Sequence, residues 1–257
     1  MSEATINNGQ VLLETQGLVK RYGGRTVVDH VSFTVSAGEI VGLLGRNGAG
    51  KTTSFRMTIG MIDPNDGRVF FRGEDITGLP MYKRAQRGMG YLSQEPSVFQ
   101  RLTVEQNLLA ILETIKTYGR RERKLRAESL MKQFGIFHLR NQQARTLSGG
   151  ERRKLEIARA MVTNPLLMLL DEPFSGVDPI AVEELQREIR RLRQEHGIAI
   201  LLTDHNVRET LSVTDRSYII FEGRVLKQGA PRDLINDPQV RKTYLGSTFR
   251  GDEFDQS

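Results

Sequence analysis

A glycine-rich stretch, GRNGAGKTT at residues 45–53, constrains the fold of this chain more than any other feature. It fits the pattern G-x-x-x-x-G-K-[ST], in which backbone N–H groups turn inward around bound phosphates. An apolar run, GEIVGLLG at 38–45, precedes it, and a helical segment follows from about Gly50. A strand that passes through such a loop into a helix predicts an α/β fold with a phosphate-binding loop.

The composition indicates a soluble, globular, cytoplasmic protein. The 257 residues can bury one large domain, or a domain and a subdomain. The longest apolar runs, such as LLMLL at 166–170, are far shorter than the roughly 20 residues that cross a bilayer. The start, MSEATINNGQ, has no basic segment followed by an apolar one, so we expect no secretory signal. The absence of cysteine excludes disulfides and thiolate zinc sites.

The formal net charge of +6 raises the question of an anionic partner. Most of the local excess lies in GRRERKLR at 119–126 and in RRLR at 190–193. Both runs fall in helical segments where arginine is mixed with glutamate. We interpret them as solvated helix faces, and we expect no nucleic-acid partner.

Apolar strands alternate with helical segments along the chain, which is typical of a wound α/β core. Residues 95–165 differ, because they carry helix-spaced apolar residues and few β-branched ones, so we predict a helical subdomain inserted into the core. Further helices are expected from about Ile180 and around PRDLI and VRKTYLG. Strands are expected in RGMGYLSQ (87–94), LLMLLDEP (166–173) and IAILLTDH (198–205), with a hairpin in SYIIFEGRVLKQG (217–229).

The glycine-rich loop offers groups that suit the phosphates of a nucleotide. Lys51 is expected to reach the β- and γ-phosphates, and the Thr52 hydroxyl is expected to bind Mg²⁺. Arg46 is expected to be solvated, and nothing in the sequence explains its charge beside the phosphates. The predicted nucleotide-binding residues of the loop are Gly45, Arg46, Asn47, Gly48, Ala49, Gly50, Lys51, Thr52 and Thr53.

Two carboxylates end the apolar run in LLMLLDEP. Burying such a pair of charges costs free energy unless a cation or hydrogen bonds compensate for the lost hydration. We expect Asp171 to hold Mg²⁺ through water. Glu172 is expected to face the γ-phosphate as the general base, or as the group that polarises the attacking water.

Three further residues are candidates for the same site. His205 ends the strand IAILLTDH and is expected to contact the γ-phosphate, although a lone histidine is more often structural. Gln94, which closes GYLSQ, can span Mg²⁺ and water with its amide. Tyr22 can stack on an adenine ring through its aromatic face, and an ordinary core or surface tyrosine is the alternative.

The segment LSGGE at 147–151 has the features of half a phosphate site. A helix N-terminus there can bind an anion, yet no lysine or metal ligand follows it. A plain helix cap is the alternative for the serine alone. Because the loop at 45–53 already supplies this chain's own site, we predict that the half-site completes the nucleotide of a second copy, in a head-to-tail homodimer. Its predicted residues are Ser148, Gly149, Gly150 and Glu151.

Together these motifs resemble the ATP-binding subunit of ATP-binding-cassette (ABC) transporters, over residues 11–246. In this resemblance Tyr22 matches the adenine-stacking aromatic, residues 45–53 match the Walker A loop, and Gln94 matches the Q-loop. Leu147–Glu151 match the signature motif, residues 166–171 the Walker B strand, and Glu172 the catalytic glutamate. SGVD at 175–178, which ends at Asp178, resembles the D-loop, and His205 resembles the switch histidine.

The resemblance implies a single ABC ATP-binding domain at 11–246. Its fold would have a P-loop NTPase core with a parallel or mixed sheet, an antiparallel β subdomain and the helical subdomain at about 95–165. Residues 1–10 and 247–257 would be flexible tails.

The resemblance also implies ATP and Mg²⁺, hydrolysis coupled to transport, and a homodimer with two transmembrane permease subunits. Phe99 and Arg101, which follow Gln94, would grip a permease helix in a groove between the core and the helical subdomain.

Several stretches are similar to one branch, the ATPase of the lipopolysaccharide-export transporter of Gram-negative bacteria, and TDHNVRETL at 203–211 is the most telling of them. This similarity implies a peripheral subunit on the cytoplasmic face of the inner membrane, with a lipid cargo handled through the permease. Two alternatives stay open: the ATP-binding subunit of a branched-chain amino-acid importer, and a soluble ABC ATPase without a transport role. A single cassette without cysteine argues against the second.

Overall fold

The computed structural model describes residues 9–246 and residue 249, and in this part of the chain ten strands form two sheets. The strands are β1 (Val11–Tyr22), β2 (Arg25–Ser36), β3 (Ile40–Leu44), β4 (Asp66–Phe71), β5 (Glu74–Asp75), β6 (Met89–Leu92), β7 (Leu167–Asp171), β8 (Ala199–Thr203), β9 (Arg216–Phe221) and β10 (Arg224–Gly229).

The larger sheet has six strands in the order β10-β9-β3-β8-β7-β6. Its strands pair in parallel except for β10, which is antiparallel to β9 as the second strand of the predicted hairpin. The smaller sheet is antiparallel, in the order β2-β1-β4-β5. The predicted combination of a mixed sheet and an antiparallel β subdomain is confirmed.

The helices are α1 (Lys51–Ile59), α2 (Met81–Gln86), α3 (Val104–Leu112), α4 (Arg120–Gln133), α5 (Gly149–Ala160), α6 (Pro179–His196), α7 (Val207–Leu211), α8 (Pro231–Asn236) and α9 (Pro238–Val240). Helices α3, α4 and α5 lie between β6 and β7, which are neighbours in the large sheet, so the helical segment is inserted there as predicted. None of the helices in the described part of the chain is both long and apolar enough to span a membrane.

Alternate residues of the buried strands face two different cores. In β7, Met168 and Leu170 pack with the apolar residues of α3, α4, α5 and α6, whereas Leu167 and Leu169 pack with α1 and the antiparallel sheet. Parallel strands that are covered on both faces are apolar at nearly every position, which explains the run LLMLL. Both faces of the sheet are closed, so polar side chains gather where the strands end.

The C-terminal end of α1 is fixed by Arg84, whose side chain is fully buried. Its guanidinium donates to the carbonyls of Met57 and Thr58, at 2.9 and 2.7 Å, and to those of Thr77 and Leu79. Burial lowers the pKa of Arg84 to about 10. These bonds satisfy carbonyls that a helix end leaves free, and they hold α1 in place behind the glycine-rich loop.

The predicted elements agree with the observed ones to within a few residues. The helix expected from Gly50 begins at Lys51, and the one expected from Ile180 begins at Pro179. The segment VRKTYLG, where a short helix is expected, contains a π-helical turn, Arg241–Leu245. The tails predicted at 1–10 and 247–257 lie outside the described residues, apart from residues 9, 10 and 249.

Candidate functional site

The glycine-rich loop connects β3 to α1 and is held from one side by the turn between β9 and β10. The Gly223 N–H donates to the Ala49 carbonyl at 2.9 Å. Gly50 has φ 103°, and a Cβ atom there would lie 2.8 Å from the carbonyl oxygen of Val27, so only glycine fits this position. No side chain caps the N-terminus of α1, and its first N–H groups therefore remain available to a ligand.

Lys51 lies at the start of α1 and is buried. Its ammonium donates to the carbonyls of Gly45 and Arg46, at 2.6 and 3.2 Å. Burial lowers the pKa of Lys51, while the nearby carboxylates of Glu172 and Asp204 raise it. The loop thus holds a cation at its centre, and the contact of Lys51 with the β- and γ-phosphates stays a prediction.

A cleft of about 400 Å³ opens beside the loop. The loop lines it from Asn47 to Thr53, together with Val27, Glu172 and His205. The structure therefore brings the predicted loop residues and two of the residues predicted at strand ends to one place. A cleft of this kind, with a cation and free N–H groups on one wall and a carboxylate on the other, can bind a polyphosphate and activate water.

Asp171 is the last residue of β7 and is buried. Its Oδ1 has no hydrogen-bond partner in the described structure, while Tyr91 places its hydroxyl 3.5 Å from Oδ2. Burial raises the pKa of Asp171, which Arg56 opposes. The same burial and Asp171 raise the pKa of Tyr91 to about 12, so Tyr91 stays a neutral donor. Tyr91 is not among the residues predicted from the sequence, although its position in GYLSQ, on the strand next to β7, places it near the same sheet edge.

The donor set next to the loop fits Mg²⁺. Across the described residues there is no group of three or more His, Cys, Asp or Glu side chains that could hold a metal. Mg²⁺ does not need such a group, because in nucleotide sites it keeps several waters and takes one or two protein oxygens with the substrate's phosphates. The unpaired Oδ1 of Asp171 and the hydroxyl of Thr52 are oxygen donors of this kind.

Glu172 leaves β7 in a left-handed conformation, with φ 45°. Such a backbone is strained for a residue with a side chain, and strain of this kind concentrates at functional sites. The Glu172 N–H donates to the Thr203 carbonyl at 2.7 Å, which fixes the turn. The carboxylate accepts from the Gln94 amide at 3.1 Å and lies 3.5 Å from Nδ1 of His205. Three predicted residues from three neighbouring strand ends thus meet at one carboxylate.

Asp204, which directly precedes His205, is a residue that the sequence analysis missed. Its buried carboxylate accepts from the N–H groups of Phe174 and Asn206, both at 2.8 Å, and so ties the turn after Glu172 to the turn that carries His205. Burial raises the pKa of Asp204, which these hydrogen bonds oppose. The signal was present, because Asp204 follows an apolar strand just as Asp171 and Glu172 do.

Ser148 caps α5 in a complete capping box. Its hydroxyl and its N–H both donate to the Glu151 carboxylate at 2.8 Å, and its oxygen accepts from the Glu151 N–H. The helix cap weighed for Ser148 is therefore present, and the role in a second copy's site stays a prediction. Gly149 and Gly150 line a separate cleft of about 330 Å³, which they share with Gln94 and Glu172.

Three further predicted residues are Asp178, Tyr22 and Arg46. Asp178 caps α6 by accepting from the Ala181 N–H at 3.1 Å. Tyr22 ends β1 with half of its surface exposed, and Lys20 lies over its ring at 5.4 Å. Arg46 lines a further cleft of about 630 Å³ with Arg25 and the turn at 221–223. The adenine role of Tyr22 stays a prediction, and the charge of Arg46 has no explanation in the structure.

The segment that follows Gln94 is held against α5. The Glu156 carboxylate accepts from the Ser97 N–H at 2.9 Å, and Arg159 donates to the Ser97 carbonyl. Phe99 is 45% exposed, with the Arg159 guanidinium 4.6 Å from its ring centroid, and Arg101 is exposed. Hydrogen bonds thus connect the segment that carries Gln94 to α5, the helix that Ser148 caps.

A comparison with known families identifies the class of protein. The family model described as ABC transporter matches residues 28–175, which contain the loop, the segment LSGGE and both carboxylates at the end of β7. The chain belongs to the ABC transporter family. It is an ABC ATPase, which binds ATP and couples its hydrolysis to transport.

Related proteins match almost the whole chain. The lipopolysaccharide export system ATP-binding protein LptB of Haemophilus influenzae is 50% identical, over 93% of this chain and 99% of its own length. LptB of Escherichia coli K12 is also 50% identical, over 93% and 98%. A solved structure, the ADP conformation of an ATP-binding cassette of an ABC transporter, superposes with a TM-score of 0.82 at 28% identity, over 92% of this chain and 99% of that one. The predicted ABC ATPase fold is confirmed.

Proposed function

We propose that this ABC ATPase drives export of lipopolysaccharide from the inner membrane. The observation that carries the proposal is the 50% identity to LptB proteins over 93% of the chain and nearly all of their length. The subunit would lie peripherally on the cytoplasmic face of that membrane, below two permease subunits that handle the lipid.

In the proposed mechanism each residue of the cleft has one task. The free N–H groups at the start of α1 and the ammonium of Lys51 bind the phosphates of ATP. Glu172 accepts the proton of the attacking water, and the Gln94 amide and His205 hold its carboxylate in position from two sides. Tyr91 orients Asp171 from behind.

Thr52, Asp171 and the side-chain amide of Gln94 would hold Mg²⁺. When bound, the ion supplies positive charge that neutralises the phosphates as the terminal bond breaks. The unpaired, buried Oδ1 of Asp171 supports this assignment, because a buried acceptor without a partner is costly unless a ligand compensates for it.

We further infer that α5 completes the nucleotide site of a second copy. Two chains related by a two-fold axis would form two such composite sites, each with the loop of one chain and the residues 148–151 of the other. The segment of Gln94 and Phe99, which is bonded to α5, would meet the permease, so that closure of the two chains moves the membrane subunits. Asp178 would lie at the same interface.

Depletion of the chain in its native cells tests the proposed cargo. Newly made lipopolysaccharide is expected to accumulate in the inner membrane, and a plasmid copy of the wild type should reverse this while Lys51→Ala should not. The measurement is the fraction of pulse-labelled lipopolysaccharide that reaches the outer membrane. Normal delivery together with a loss of branched-chain amino-acid uptake would instead support the importer.

Mixed variants test the composite site. Lys51→Ala and Ser148→Arg chains are each expected to be inactive as ATPases. In an equal mixture half of the dimers are mixed and each has one intact site, so about a quarter of all sites, and of the wild-type rate, should return. If loop and half-site act within one chain, the mixture stays inactive and the dimer proposal is wrong.

A further inference from the structure

The C-terminal part of the chain packs onto the residues that enter the phosphate-binding loop. Tyr244, in the π-helical turn Arg241–Leu245, contacts an apolar cluster that includes Leu44 and Leu211. Leu44 is the residue before the loop, and Leu211 ends α7, the helix that follows His205. The segment VRKTYLG therefore packs against the residues that lead into the nucleotide site, and it has no part in the proposed mechanism.

The Tyr244 hydroxyl is the unusual feature of this contact. Its oxygen is buried and has no well-formed hydrogen bond within the described residues. Burial raises the pKa of Tyr244, and the backbone N–H of Gly45 opposes this. Gly45 is also confined on another side, since a Cβ atom there would lie 2.3 Å from the Ile220 carbonyl oxygen.

A buried hydroxyl without a good partner costs stability, whereas a phenylalanine at the same position would avoid this cost. Packing alone therefore does not account for a tyrosine. The carbonyl oxygen of Gly45 accepts a hydrogen bond from the Lys51 ammonium, with 2.6 Å between oxygen and nitrogen. A small shift of Gly45 therefore moves the cation that meets the phosphates.

We propose that Tyr244 is a positioning residue of the nucleotide site: its hydroxyl supports the N–H of Gly45 and so holds the start of the loop in the shape that binds ATP. The inference rests on the proposed role of the loop at 45–53.

The test compares Tyr244→Phe with Tyr218→Phe in the full-length chain. Tyr218 is also buried, but its hydroxyl is bonded to Arg216 and accepts from the Thr34 N–H at 3.1 Å. We measure the melting temperature without nucleotide, the Kd for ADP and for ATP by titration, and KM against kcat.

Tyr244→Phe is expected to leave the melting temperature unchanged or slightly raised, while the Kd and KM for ATP rise about fivefold and kcat changes little. Tyr218→Phe should lower the melting temperature and leave the Kd unchanged. A lowered melting temperature with an unchanged Kd in Tyr244→Phe would make Tyr244 merely structural and overturn the inference. Lys51→Ala in the same titration separates the two proposals: if it too keeps its affinity, the role proposed for the loop itself fails.

Discussion

Two helices of this chain begin at glycine-rich turns, and their N-termini are completed in different ways. At α1 the cap position is Gly50, no side chain caps the helix, and its first turn carries no acidic residue. At α5 the cap is Ser148, and Glu151 in the first turn closes a reciprocal capping box. Both helices begin with N–H groups that have no partner within the helix and with the positive end of a dipole, but of the two only α1 has no side chain that accepts from these groups.

The difference shows how one chain can hold a complete phosphate site and a conditional one. A phosphate at α1 meets open N–H groups, the ammonium of Lys51 and a first helical turn without a carboxylate. A phosphate at α5 must compete with Glu151, whose pKa is lowered by its bonds to Ser148 and which therefore stays charged. We infer that α1 binds nucleotide in the single chain, and that α5 joins only when a second chain brings the phosphates to it.

The largest expected effect is on chemistry at the α1 site. Glu172→Gln removes the proton acceptor but keeps an oxygen that can accept from Gln94, so ATP binding should persist. ATP turnover should fall about 10²- to 10⁴-fold, and ATP should trap a dimer, because closure no longer ends in hydrolysis. Steady-state ATPase rates and size-exclusion chromatography with ATP measure both effects. A variant that hydrolyses normally would remove Glu172 from the catalytic role.

The comparison predicts a second, smaller difference in nucleotide affinity. Lys51→Ala should weaken ATP binding to the single chain by about 10- to 100-fold, as expected for the loss of charged hydrogen bonds. Ser148→Ala should leave that affinity unchanged and still impair hydrolysis. Titration of each variant at concentrations below dimer formation measures the affinities. Equal losses in both variants would mean that α5 already serves the chain's own nucleotide.

The residues of the α1 site could be predicted because each lies at the end of a strand that is buried on both faces. Apolar runs in the sequence reveal such strands, and the first polar residues after them, such as Glu172 and His205, must lie at the edge of the sheet. Parallel pairing then brings these edges together, as the contact of Gln94 with Glu172 demonstrates. The same reasoning applied to TDH would also have found Asp204.

The supporting contacts could not be predicted, since they join residues that are distant in sequence and meet only in the folded structure. In the sequence Arg84 is indistinguishable from the many surface arginines and lysines, yet its side chain is buried and donates to the carbonyls at the end of α1. Tyr244 is 199 residues from Gly45, and no local pattern relates them. The capping box at Ser148 has a sequence pattern, S-x-x-E, but the pattern cannot tell whether the helix end serves a ligand as well.

The cap at α5 predicts a modest effect on stability. Ser148→Ala should lower the free energy of unfolding by about 1 kcal/mol at neutral pH. The bonds of Ser148 lower the pKa of Glu151 from its ordinary value of 4.5, so their contribution is complete above that pH and is lost as the pH falls through the lowered pKa. The difference between variant and wild type should therefore shrink in acid, as measured by urea unfolding.

The capping box of α3 provides the control for this pH dependence. There Thr103 accepts from the Gln106 N–H at 3.1 Å, and Gln106 does not titrate. Thr103→Ala should cost a similar free energy that stays constant over the same pH range. If the loss of unfolding free energy in Ser148→Ala also stays constant with pH, the cap does not depend on the charge of Glu151.

The smallest expected effect tests whether the carboxylate at α5 opposes the second phosphate site. Glu151→Gln keeps the capping box, as Gln106 does at α3, but removes the negative charge from the helix end. In a Glu172→Gln background, ATP-driven dimerisation should strengthen about two- to fivefold, and less at high salt, because the charge acts through a solvated helix terminus. Glu122→Gln, which removes the same charge from the cap of α4, should change nothing. Sedimentation at increasing ATP measures the dimer, and an unchanged or weaker dimer in Glu151→Gln would mean that the two helix ends differ in their capping alone.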